Sequence, residues 1–144
     1  MNELVVTEWR GNMAFEAVID GISVKMDADP QFGGTGFGAR PKPMVLSSLA
    51  GCTGMDVISI LTKKQLPVTK FQIHINGELT ETHPKYYKSI HVVFELTGPG
   101  FEGDQSVLDK VQRAVQLSTE NYCGVNAMLK NSCTITNEII LKNS

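Results

Sequence analysis

The chemistry open to this chain is concentrated in its sulfur. Cys52 stands in the run Ala50-Gly51-Cys52-Thr53-Gly54, Cys123 in Asn121-Tyr122-Cys123-Gly124, and Cys133 heads the alternating run Cys133-Thr134-Ile135-Thr136. A thiolate is a nucleophile, a metal ligand and a reductant, and its surroundings decide which of these it becomes. An odd number of cysteines, with no CxxC pair and no secretory leader in view, argues against a disulfide scaffold and against a zinc knuckle. Cys133 shares an alternating strand with Ile135 and Ile139 and reads as packing. Cys52 and Cys123 each sit beside glycine and small polar residues, where a backbone can be approached. For those two, core filler and reagent both stay open. His74, His83 and His91 show no pair at metal-ligand spacing. Glu78 and Glu81 flank a loop and offer no acid–base geometry, so no metal site is expected.

The element that must carry Cys52 is residues 41–67, PKPMVLSSLAGCTGMDVISILTKKQLP. Its apolar residues fall all round a helical wheel, which predicts a buried helix. Prolines at the start and Lys63, Lys64 and Pro67 at the end fit helix termini. Ser47, Ser48, Gly51 and Gly54 form a small-residue ridge that admits a close neighbour. The stretch reads as too short and too interrupted by Ser, Thr, Gly and Asp56 to span a membrane. Before it, residues 3–9, 13–19 and 22–27 are short β-rich runs joined at Arg10-Gly11-Asn12 and at Asp20-Gly21, a meander. Residues 28–40 carry four glycines between Gln31 and Ala39 without the terminal Gly-Lys-Ser/Thr of a phosphate loop. A mobile loop over the helix start is expected there. Residues 68–78 and 86–97 alternate as two long strands, 104–121 has the spacing of an amphipathic helix, VNAMLK is a short helix, and the chain closes on a strand. The order predicts a single α+β domain over residues 1–144.

Composition narrows the function. The 144 residues are 42% hydrophobic and 19% charged with a formal net charge of −2, an ordinary globular balance with no basic footprint for nucleic acid. The opening MNELVVTEWRG lacks a basic segment followed by an apolar core, and no lipidation box is present. A cytoplasmic protein with no membrane partner is the expectation.

The run PMVLSSLAGCTGMDVISIL, followed about seventy residues later by ENYCGVNAML, resembles the OsmC/Ohr family of thiol-dependent peroxidases, the osmotically induced and organic hydroperoxide resistance proteins. The string Ala-Gly-Cys-Thr-Gly-Met-Asp-Val is most similar to the family's OsmC-like branch. The resemblance implies an antiparallel sheet around a buried central helix and an intertwined homodimer with sites between subunits. It implies reduction of organic hydroperoxides in oxidative-stress defence, with Cys52 the peroxidatic thiol and Cys123 the resolving one. It further implies a small hydroperoxide substrate, an external dithiol reductant of which a lipoyl-linked one is the candidate, and no bound cofactor. The family's activating arginine falls on Arg10, with Arg40 in reserve. Its supporting glutamate falls on Lys42, or Pro43 if the match slips by one, so that carboxylate is missing. Lys42 then becomes a substitute cation and Asp56 a substitute carboxylate, although an anion beside Cys52 disfavours its thiolate. The missing glutamate supports an alternative function, a non-catalytic protein that binds a small hydrophobic or acyl ligand in the dimer cleft. Thiol-transfer or hydrolytic chemistry at Cys52 is a third.

Overall fold

The structure, a computed structural model, describes residues 1–144. Two compact units divide the chain, Met1–Val45 and Leu46–Ser144. The first is a three-stranded antiparallel sheet of β1 (Val6–Trp9), β2 (Phe15–Ile19) and β3 (Ile22–Met26) in the order β1-β2-β3. The expected turns are where their residues placed them. Asp20 and Gly21 close the β2–β3 hairpin, in which Ile19 pairs with Ile22. Trp9 pairs with Phe15 across the other turn. Because paired residues share a face, Trp9, Phe15, Ile19 and Ile22 lie on one side of this sheet. Each is exposed, Trp9 to 63%.

The glycine-rich segment is not the mobile loop that the sequence suggests. Asp27, almost wholly buried, collects the backbone N–H groups of Ala28, Thr35 and Phe37 at 2.8, 2.9 and 3.0 Å, with the Thr35 hydroxyl at 3.4 Å. A 3₁₀ turn at Pro30–Phe32 and a bridge between Met26 and Ala39 tie it further. Gly34 lies so close to the Ala28 carbonyl that a Cβ would collide with it. Its glycine therefore serves crowding around a carboxylate, not a phosphate. The Thr35 and Phe37 N–H groups hold the Asp27 carboxyl below its ordinary 3.8.

In the second unit, β4 (Lys70–Leu79), β5 (Tyr87–Gly98) and β6 (Thr134–Asn143) form a sheet in that order. The sheet is mixed, where an antiparallel one was expected: β4 pairs antiparallel with β5, but β6 runs parallel to it. The helical crossover between β5 and β6 is the cause, because a chain returning over the sheet face re-enters in the same direction. That crossover holds α2 (Gln105–Leu117), capped by the Asp104 carboxylate on Val107 N at 3.1 Å, and α3 (Gly124–Leu129). Alternate β5 residues Ile90, Val92, Phe94 and Leu96 are buried in one cluster with Phe101, Val107, Val111, Ala114 and Val115. His91 and Glu95, between them in sequence, face away. His91 meets Glu138 at 3.0 Å and Thr136 at 2.7 Å, and His74 meets Glu95 at 3.5 Å, so both histidines serve the polar outer face of the sheet.

The cysteine-bearing helix, α1, runs over Pro41–Lys63. Its 23 residues make it long and apolar enough, by length and composition, to cross a bilayer, so the expectation that it is too short fails. Within the chain it buries one row, Leu49, Thr53, Val57 and Leu61. Val45, Met55 and Ile58, off that row, are exposed, Met55 to 71%. Gly54 admits β4: a Cβ there would lie 2.9 Å from Ile73 Cδ1.

Two outcomes follow. Phe94→Ala, in a fully buried site, should cost about 3–5 kcal/mol of unfolding free energy in a denaturant titration. Asp27 has a depressed folded value, so its contribution exists above the unfolded carboxylate value and is lost as pH falls through the folded one. The melting temperature of Asp27→Asn should therefore lie below wild type at pH 7, with the gap closing below the ordinary 3.8. A gap unchanged down to pH 2 would show that the carboxylate charge contributes nothing.

Candidate functional site

Cys52 lies in mid-α1, half-buried, beside the row that faces the core. Cys123 lies 71 residues on and is 3% exposed. The structure brings the two thiols close enough to interact, and all three cysteines are free. Burial, first, and then the hydrogen bond to Cys52 push the Cys123 thiol up to about 11. The negative charges of Cys52 and Asp56 add to this, and the Asn126 N–H, which donates to Cys123 Sγ at 3.4 Å, opposes it. Near neutral pH Cys123 is therefore a protonated thiol able to donate to the sulfur of Cys52. Cys133 donates to the Leu129 carbonyl at 3.3 Å and is pushed up by burial, in keeping with packing.

The backbone at Cys123 is unusual. After Leu117 the chain widens into a π turn, Ser118–Tyr122, closed by Cys123 N donating to Ser118 O at 2.7 Å. Single π turns inside helical segments are rare and frequent at functional sites. Cys123 then caps α3 with its own sulfur. Ser118, fully buried, donates its hydroxyl to Asp56 Oδ2 at 2.8 Å, and Thr53 Oγ1 lies 2.9 Å from Ser118 Oγ. Asp56 is thus anchored to the turn that carries Cys123.

The sequence points to Cys52, Cys123 and Asp56 but not to Thr53 or Ser118. A signal for Ser118 was present: it continues the buried stripe of Val111, Ala114 and Val115 on α2, and a polar residue in an apolar stripe needs a buried partner. Of the proposed cations, Arg10 is half-exposed in the first unit, 3.4 Å from Glu8 and 3.6 Å from Glu16, so carboxylates of its own sheet hold it. Lys42 sits in the first turn of α1, nearly three turns before Cys52, and Arg40 just precedes the helix; both are exposed.

A further cleft does not include the thiols. About 490 Å³ opens between α2 and β6, lined by Leu108, Gln112, Gln116, Thr119 and Asn137 among others, with no titratable side chain. A depression of about 100 Å³ borders Cys123 along the π turn. No group of three His, Cys, Asp or Glu side chains converges on a point that could hold a metal.

Residues 32–138 match the family model described as OsmC-like protein. Protein YhfA of Escherichia coli (strain K12) is 35% identical over 96 residues, 67% of this chain and 68% of that protein. A hypothetical protein from Aquifex aeolicus VF5 superposes with a TM-score of 0.85 at 27% identity, covering 100% of this chain and 98% of that one. The organic hydroperoxide resistance protein OhrB of Bacillus subtilis shares the fold with a TM-score of 0.63 at 16% identity, covering 96% and 98%. The α+β architecture is the one these structures share, and the chain belongs to the OsmC-like protein family.

Proposed function

We propose that this protein reduces organic hydroperoxides through Cys52 and Cys123, as a cytoplasmic homodimer supplied with electrons by an external dithiol such as a lipoyl-linked one. The contact between two free thiols from opposite halves of the second unit carries the reading. The Cys52 thiolate attacks the distal peroxide oxygen, the O–O bond breaks, and the alcohol leaves with one proton. Cys52 is then a sulfenic acid. Cys123 attacks that sulfur, the S–O bond breaks, and the Cys123 proton departs with the oxygen as water. The dithiol reduces the resulting disulfide and becomes a disulfide itself. A resolving thiol that stays protonated until its partner is oxidised suits this order, because it supplies the proton that the leaving oxygen requires.

Dimerisation is supported by the apolar surface left bare. Val45, Met55 and Ile58 on α1, and Trp9, Phe15, Ile19 and Ile22 on the first sheet, are large apolar side chains open to solvent, and apolar surface of this kind marks interaction sites where it is contiguous. A second copy that covers α1 would also wall the approach to Cys52 with hydrocarbon, a receptacle for an organic tail. In that assembly Arg10 is the proposed activating cation, with Arg40 and Lys42 as the substitutes.

The ties of Arg10 to Glu8 and Glu16, and the Asp56 carboxylate beside the pair, favour a second reading, a non-catalytic protein that holds a small hydrophobic or acyl ligand in the dimer cleft.

Cumene hydroperoxide consumption coupled to a dithiol should vanish in Cys52→Ser. In Cys123→Ser it should stop after a single turnover, with Cys52 recovered as sulfinic acid by mass spectrometry. Full activity in Cys52→Ser, or none in the wild type together with a melting temperature raised by a fatty acid, would replace the peroxidase with the ligand binder. Arg10→Ala should slow Cys52 alkylation at pH 7 by about tenfold, equivalent to about 1.4 kcal/mol of thiolate stabilisation. An unchanged rate moves the role to Arg40 or Lys42.

A further inference from the structure

We propose that Asp56 and Ser118 are positioning residues for the thiol pair: the carboxylate one turn beyond Cys52 grips Ser118, and Ser118 fixes the π turn from which Cys123 meets Cys52. The inference rests on the reading above only in taking the pair to cycle between dithiol and disulfide; it does not require that peroxide be the oxidant.

Every polar atom of Ser118 is committed. Its N–H is shared between the Ala114 and Val115 carbonyls at the end of α2. Its carbonyl accepts the Cys123 N–H at 2.7 Å. The hydroxyl has one proton, and that proton goes to Asp56 Oδ2 at 2.8 Å. Thr53 Oγ1, 2.9 Å away, must therefore be the donor in its own bond to Ser118. Donors thus run in one direction, from Thr53 through Ser118 to an acceptor oxygen of Asp56. Thr53 directly follows Cys52 and Asp56 comes one turn after it, so both ends of the chain are fixed to the helix that carries the first sulfur. The middle of the chain is fixed to the turn that carries the second. Ser118 is 0% exposed, so water does not reach the hydroxyl at the middle of the chain.

This placement matters because a sulfenic acid has competing fates. If Cys123 is already in contact, the S–S bond forms and water leaves; if it wanders, further oxidant takes the same sulfur to the sulfinic acid. Disulfide geometry is also narrow, and a turn displaced by one ångström loses it.

A serine present only to fill the core would affect stability when removed, but not the thiol–disulfide equilibrium of the folded chain. The full chain carrying Cys133→Ser is equilibrated at pH 7 in mixtures of reduced and oxidised dithiothreitol. The Cys52–Cys123 disulfide is then quantified by alkylation and mass spectrometry. Ser118→Ala and Asp56→Ala should each lower the equilibrium constant for the disulfide by about tenfold, raising the reduction potential by about 30 mV. Asp56→Asn keeps an oxygen acceptor for Ser118 and should stay close to the parent protein. Should Ser118→Ala fail to fold, Asp56→Ala, which truncates a half-buried side chain, decides the matter alone. Parent-like equilibria in the alanine variants overturn the proposal, and so does an Asp56→Asn shift as large as that of Asp56→Ala, because charge and not grip would then be acting. A parent protein that forms the disulfide in this buffer, yet consumes no hydroperoxide, ends the peroxidase reading and leaves this one standing.

Discussion

The row Leu49, Thr53, Val57 and Leu61 repeats every four residues along α1, and the rest of the second unit is arranged around it. Three of the four are apolar and join the cluster built on Phe94, Phe101 and Val111; the fourth is a threonine that turns the same surface polar for one turn. A spacing of four drifts slowly round the helix, so the row presents a nearly straight face to its neighbours. Cys52 and Asp56 occupy the adjoining row. Packing along the first row therefore aims the second, because the helix cannot turn about its axis without unseating Leu49 or Val57.

Thr53 shows how an apolar core accommodates a polar chain. A buried hydroxyl without a partner is costly, and here no buried side-chain nitrogen or oxygen lacks one. The polar groups are confined to one satisfied chain beside the thiols, surrounded by hydrocarbon. A low local dielectric strengthens that chain and also keeps the Cys123 proton in place. Stability and reactivity at this site thus share one cause.

Much of this was legible in the residues. Alternation gave β4 and β5, the pair Asp20-Gly21 gave a hairpin, and the small residues around Cys52 and Cys123 marked the thiols that meet. What the residues did not disclose were non-local effects. The parallel entry of β6 depends on a crossover, the order in residues 28–40 depends on one carboxylate, and the helix from 104 ends in a π turn at a serine that is held from another helix. The partners of Arg10 were hidden for a similar reason: Glu16 becomes its neighbour only once β1 and β2 pair. Sequence separation conceals contacts that a turn creates.

The π turn has a consequence for which changes the chain can accept. Its closing bond spans five residues, one more than an α-helical bond. Glu120, Asn121 and Tyr122 are exposed and make no core contact that would fix their identity. Their number, however, sets the angle at which Cys123 leaves the helix. Deleting any one of them would let ordinary helix resume and swing the following residue by about 100°. Substitution here is cheap and a change of length is not, so in this segment the count of residues, more than their kind, is what descent must preserve.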